Sequence, residues 1–251
     1  MSGPLGVMSV LLLEAAVGGA VVLWASGVWG SVRRGFFLLM GAVLALSAVG
    51  AWTLTRGQSV GREVTALGLF AALLVVWQVL LILRQEMLSR AVGLAGAAIG
   101  VAALVLFGVA HGTQPALAVA ELALGALFLG STLFGLLLGH WYLVERRLSN
   151  AYMIRSAWWY IAGVVAAVGA AILSAQNPPP EMGGGFSPVL GVPGFSVMLA
   201  VGLVGICALI AGFVWKLAQE GGRSIQAATG MFYLAVIMAF SAELSTKFRF
   251  F

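Results

Sequence analysis

Eight apolar stretches, each long enough to cross a bilayer, take up nearly all of this chain and constrain its fold more than any other feature. They run over 5–29, 35–54, 64–83, 91–110, 116–142, 157–175, 194–215 and 225–244. A transmembrane helix needs about 20 mostly apolar residues to cover a hydrocarbon core about 30 Å thick. With 62% hydrophobic and 8% charged residues, the 251-residue chain lacks the polar surface of a water-soluble domain. The expected fold is all-α: a polytopic integral membrane helix bundle of about eight transmembrane helices, forming a single transmembrane domain over 1–251.

The longest connection, Gln176 to Pro193, is too short to bury a core of its own, which excludes a catalytic domain outside the membrane. The first apolar run is too long for a cleavable signal peptide and has no basic residues before it, so it reads as a span. Cys207 is the sole cysteine, which excludes an internal disulfide and dithiol redox chemistry and leaves it a small buried side chain. All eight acidic residues are glutamates, so motifs built on aspartate are absent.

Charge sets an expected orientation. The connections between spans 1–2, 3–4, 5–6 and 7–8 carry nine of the 13 basic residues: Arg33, Arg34, Arg84, Arg90, Arg146, Arg147, Arg155, Lys216 and Arg223. Only Arg56, Arg62, Lys247 and Arg249 fall on the other side, which also holds five of the eight glutamates. The positive-inside rule makes the basic side cytoplasmic, with both termini outside the cytoplasm and the chain in the inner (plasma) membrane. The basic balance then reflects topology and anionic lipid, and nucleic acid is not an expected partner.

Spans 1–4 and 5–8 read as two parallel copies of a four-helix unit, with halves at 1–113 and 114–251. Gln85-Glu86 with Gly96 ten residues past the Glu is echoed by Gln219-Glu220 and Gly230, and Glu14-Ala15-Ala16-Val17-Gly18 by Glu121-Leu122-Ala123-Leu124-Gly125. The 34 glycines lie mostly inside spans, with GxxxG spacing at Gly96/Gly100 and Gly135/Gly139, and read as close helix packing. All seven prolines fall outside span centres, which predicts unbroken helices.

Two carboxyls lie well inside the apolar spans. Glu14 is some nine residues into span 1, about 13 Å along a helix rising 1.5 Å per residue, and Glu121 enters span 5 from the same face. A charged group in lipid costs about 2.5–3.5 kcal/mol, so each is expected to face a partner, a cavity or a ligand. No basic residue lies deep in a span to neutralise them, and Lys247-Phe248-Arg249-Phe250-Phe251 reads as an interfacial tail. His111 and His140, at opposite ends of span 5, are the only histidines and stand too far apart to ligate one haem. A haem would need a partner subunit or a ligand other than a second histidine, and no metal site or covalent cofactor is expected.

The segment Gly139-His140-Trp141-Tyr142-Leu143-Val144-Glu145-Arg146-Arg147, followed by Arg155, Trp158, Trp159 and Tyr160, is the richest in polar chemistry. It reads either as an interfacial aromatic belt or as a head-group site. In the second case His140 or Tyr142 would hydrogen-bond a quinone carbonyl, and Arg146, Arg147, Arg155, Trp158 and Trp159 would hold a lipid head group. Glu86, Glu145 and Glu220 each have an arginine close by in sequence and are expected to form surface ion pairs with it. The outer loop from Asn177 to Phe186 is stiff, then flexible, and could meet an extracytoplasmic partner.

The expected function is that of a multi-pass membrane subunit of a larger assembly, handling lipid-soluble quinone in electron transfer, with Glu14, Glu121, His140 and Tyr142 as quinone or proton sites. The alternative is a proton- or cation-coupled small-solute transporter, and a second alternative a scaffold or assembly subunit without chemistry. The bilayer is a partner under every reading, and other membrane or extracytoplasmic subunits under the first.

Overall fold

The computed structural model describes residues 3–112, 114–145, 147–176 and 195–247. Among them are eight helices and no strand: α1 (Pro4–Ala25), α2 (Arg34–Arg56), α3 (Arg62–Ile82), α4 (Glu86–His111), α5 (Pro115–Val144), α6 (Ala151–Gln176), α7 (Phe195–Glu220) and α8 (Ser224–Thr246). All eight are long and apolar enough to cross a membrane. The Asn177–Phe186 loop, Arg146 and the tail beyond Lys247 lie outside the described residues.

Helix ends depart from the apolar boundaries in an interpretable way. α4, α6 and α7 extend into polar sequence at Glu86, Ala151 and Glu220, because backbone hydrogen bonding continues for a turn beyond the hydrocarbon. α1 instead stops at Ala25, short of the apolar run, where Gly27 and Gly30 take φ of 65° and 81° that end the helix and turn the chain. Pro4 and Pro115 are the first residues of α1 and α5, where a missing N–H costs no helical hydrogen bond.

Successive helices pack side by side in each half, and the last returns to the first, giving the rings α1–α2–α3–α4 and α5–α6–α7–α8. The rings meet chiefly along α1 and α5, with α4 also on α5. These two helices form the centre: 78% of the most apolar stretch of each is buried, against 33% in α3 and α7. The outer helices turn apolar side chains such as Leu69, Val76, Val165, Ile172, Leu209 and Ile237 outward. Such a surface suits lipid and would aggregate in water.

Small residues make the central contact. A Cβ added at Gly18 would stand 1.6 Å from the Ala126 carbonyl oxygen, and one at Gly130 would stand 2.0 Å from the Gly18 carbonyl carbon, so the α1 and α5 backbones touch. The glycines at GxxxG spacing do a different job: Gly100 accepts the Phe70 ring, Gly135 the Phe232 ring and Gly139 the Thr229 side chain.

The end of the bundle bearing the basic connections is closed by aromatic rings. Trp24 stacks on Trp29 at 3.8 Å between centroids, and Trp29 on Phe37 at 4.2 Å. There the expected pairs of Glu86 and Glu220 with neighbouring arginines do not form among the described residues, and Arg146, expected beside Glu145, lies outside them. Glu145 pairs with Arg33 at 2.9 Å and accepts the Trp141 indole N–H at 3.0 Å, Glu220 accepts the Ser224 hydroxyl, and Glu86 enters no ion pair. Neighbours in sequence at a helix end point in different directions, so proximity along the chain does not make a pair.

Candidate functional site

Glu14 stands ten residues into α1, about 15 Å from its start at 1.5 Å per residue, close to the middle of the helix. Glu121 stands six residues into α5, about 9 Å from its start, and Glu243 three residues before the end of α8. Because α1 and α5 touch and α8 leans on α5, the three carboxyls converge in the half of the bundle nearer the termini. All three are buried, with Glu14 and Glu121 fully so.

Their common partner is Lys247, the residue that follows the last turn of α8. Its side chain runs inward, fully buried, and its Nζ lies 2.8 Å from Glu14 Oε1, 3.1 Å from Glu121 Oε1 and 3.2 Å from Glu243 Oε2. Lys247 donates a hydrogen bond to Glu121, and the Thr246 hydroxyl donates to the Glu243 backbone carbonyl at 2.9 Å. Ser174 of α6 donates to the Thr246 carbonyl at 3.0 Å, fixing the end of α8 from which the lysine reaches in. Gly125 leaves room for the cluster: a Cβ there would stand 2.6 Å from Glu14 Oε1 and 2.9 Å from Glu243 Oε2.

The cluster differs from the sequence reading in two respects. Lys247 is the internal counter-ion of the carboxyls rather than part of an interfacial tail, and Glu243 is a third member. The available signal was the spacing of four residues between Glu243 and Lys247, which puts both on one helix face.

Three carboxyls meet the Lys247 ammonium, and among the described residues Glu14 Oε2 is buried with no hydrogen-bond partner. Among the described residues no group of three His, Cys, Asp or Glu side chains is arranged to hold a metal ion.

The other candidates lie at the opposite end of the bundle. His140 and Tyr142 are 19 and 21 residues past Glu121 on α5, about 30 Å along the helix. His140 is exposed, with Nδ1 3.3 Å from the Tyr233 hydroxyl. Tyr142 is buried, donating its hydroxyl proton to the Ser149 carbonyl and accepting the Met153 N–H at 3.1 Å. These bonds close the α5–α6 connection and engage the tyrosine in holding backbone. Arg155 donates to the Ser26 carbonyl at 2.6 Å, covering the end of α1 with a cation, where the helix dipole favours one. Trp158 is exposed and meets Trp215 edge-on at 6.1 Å, Trp159 is half-buried against the core, and Arg147 is exposed.

Arg155→Ala should therefore destabilise the bundle by about 1 kcal/mol through the loss of the Ser26 bond. Arg33→Ala should change stability by less than about 0.5 kcal/mol, because the Arg33 side chain is 80% exposed. Thermal unfolding of the purified chain in detergent measures both.

The fold and the cluster define a class: a multi-pass helical membrane protein with a buried carboxyl–ammonium cluster between its central helices. No family model, curated protein or solved structure matches the chain.

Proposed function

We propose that the chain is a proton-coupled membrane transporter or proton pathway, with Glu14, Glu121, Glu243 and Lys247 as the proton-exchanging site. The supporting observation is the convergence of three buried carboxyls on the Lys247 ammonium between the central helices. A purely structural ion pair needs one carboxylate for one lysine, and buried ion pairs in any case add little net stability. Ionisable groups inside membrane spans are costly and mark ion pathways and proton relays, which is the role a coupling site requires.

The orientation that goes with this reading follows the positive-inside rule. On that rule the cluster lies in the half of the bundle away from the cytoplasm, and both termini lie on that side of the plasma membrane. The α1–α5 backbone contact at Gly18 and Gly130 closes the route inward from Glu14, so protons would pass when these two helices shift. Quinone handling, electron transfer and additional subunits draw no comparable support, because Tyr142 is bound to backbone and His140 is remote from Glu14.

Infrared difference spectroscopy of the reconstituted chain, titrated in pH, tests this without knowledge of a solute. A carboxyl C=O signal that appears on acidification and disappears in Glu14→Gln is the expected result. Acidification with no carboxyl signal from the buried cluster would falsify the proposal.

A further inference from the structure

At the basic end, the α1–α2 loop and the α3–α4 turn enclose a cavity of about 350 Å³. Arg34, Arg84 and Arg90 line it together with a single acid, Glu86, and Trp29 and Phe37 supply an apolar wall. Arg34 is half-buried and donates to the Leu81 carbonyl at 3.1 Å, which fixes its guanidinium at the rim. Among the described residues no ion pair engages any of the three arginines.

The turn that carries Arg84 is built at a cost. Gln85 N–H donates to the Leu80 carbonyl at 3.0 Å and Arg84 N–H to the Leu81 carbonyl at 3.3 Å, a helix ending whose left-handed residue is usually glycine. Arg84 occupies that residue with φ of 61°, the only non-glycine with positive φ among the described residues. α4 begins immediately after it with no side-chain cap, so the N–H groups of its first turn are left for water or an anion.

The other half supplies a contrast. Its α5–α6 loop and α7–α8 turn enclose a cavity of about 600 Å³ lined, among the described residues, by one arginine, Arg223, and one acid, Glu220. There the left-handed positions belong to Gly221 and Gly222. Among the described residues, only the first half places an arginine in strained backbone, and only its cavity has three guanidinium groups to one carboxyl.

We propose that the cavity between the α1–α2 loop and the α3–α4 turn binds the phosphate of an anionic phospholipid head group. Guanidinium groups give charge-assisted hydrogen bonds to phosphate oxygens. The starts of α2 and α4 put the site where spans leave the hydrocarbon, the depth of a lipid phosphate. The apolar wall of Trp29 and Phe37 suits the glycerol and upper acyl region.

Binding to the full-length chain in detergent is measured by native mass spectrometry, with phosphatidylglycerol, phosphatidylcholine and inorganic phosphate as separate probes. Phosphatidylglycerol should bind about tenfold more tightly than phosphatidylcholine, the effect of between one and two cations at a membrane surface. Arg84→Gly preserves the left-handed turn, so it should weaken phosphatidylglycerol binding about fivefold while thermal stability is kept or raised. Arg223→Gln, in the other cavity, should leave binding unchanged. Equal affinity for the two lipids, or undiminished binding by Arg84→Gly, overturns the site. Displacement of the lipid by equimolar inorganic phosphate overturns the lipid assignment in favour of a soluble anion.

Discussion

Lys247→Met should be among the most damaging substitutions in the protein, lowering its stability at neutral pH by about 3–5 kcal/mol. The methionine fills similar volume, so the loss is electrostatic: Glu14, Glu121 and Glu243 are left facing one another in a buried site without the Lys247 ammonium. The deficit should shrink on acidification, because a protonated carboxyl needs no counter-ion, and grow as pH rises. Adding Glu14→Gln to Lys247→Met should recover part of the loss, giving a coupling energy of about 1–3 kcal/mol in a double-mutant cycle. Denaturant or thermal unfolding in detergent at two pH values measures all of this. A Lys247→Met protein as stable as the parent at both would mean that the ammonium does not hold the carboxyls together.

Gly130→Ala is expected to be comparably severe, by about 3 kcal/mol or more, and for a steric reason. The added methyl would lie 2.0 Å from the Gly18 carbonyl carbon and 2.4 Å from the Gly19 nitrogen. Both are backbone atoms, so no rotamer change can make room, and α1 would have to move off α5. Gly96→Ala is the informative control: its nearest neighbour would be the Leu73 Cβ at 3.6 Å, an ordinary contact, and alanine is the better helix former. Gly96→Ala should be neutral or slightly stabilising, although Gly96 belongs to a GxxxG pair and Gly130 does not. Unfolding midpoints and the monodisperse fraction on gel filtration separate the two variants.

The bundle is legible in the sequence because hydrocarbon thickness imposes a length on every span, and length is a property of the chain alone. The burial of Glu14 and Glu121 is legible for a related reason: a carboxyl far inside an apolar run has nowhere else to go. Lys247 is not legible in that way, since it follows the last apolar run and a residue there usually stays in the interface. What turns it inward is the convergence of α1, α5 and α8, a tertiary fact, although its spacing from Glu243 was a usable hint.

Adjacency was the misleading cue elsewhere. His140 and Tyr142 stand two residues apart, which is about 200° around a helix with 3.6 residues per turn, so they face opposite ways. One points out toward Tyr233 and the other into the α5–α6 connection. The close helix crossing was hidden similarly: GxxxG counts glycines on one helix, whereas the α1–α5 contact depends on Gly18 of one meeting Ala126 and Gly130 of the other.

The Lys247 contact also has a consequence for how the protein is made. Glu14 belongs to α1, and Lys247 arrives only after seven more helices have been synthesised. Until α8 is inserted, the carboxyls of α1 and α5 have to be carried through the translocon neutral, wet or shielded by an insertase. Completion of the cluster therefore waits on the insertion of α8. A nascent chain stalled before that helix would display an acidic core without its ammonium, a recognisable signal for membrane quality control.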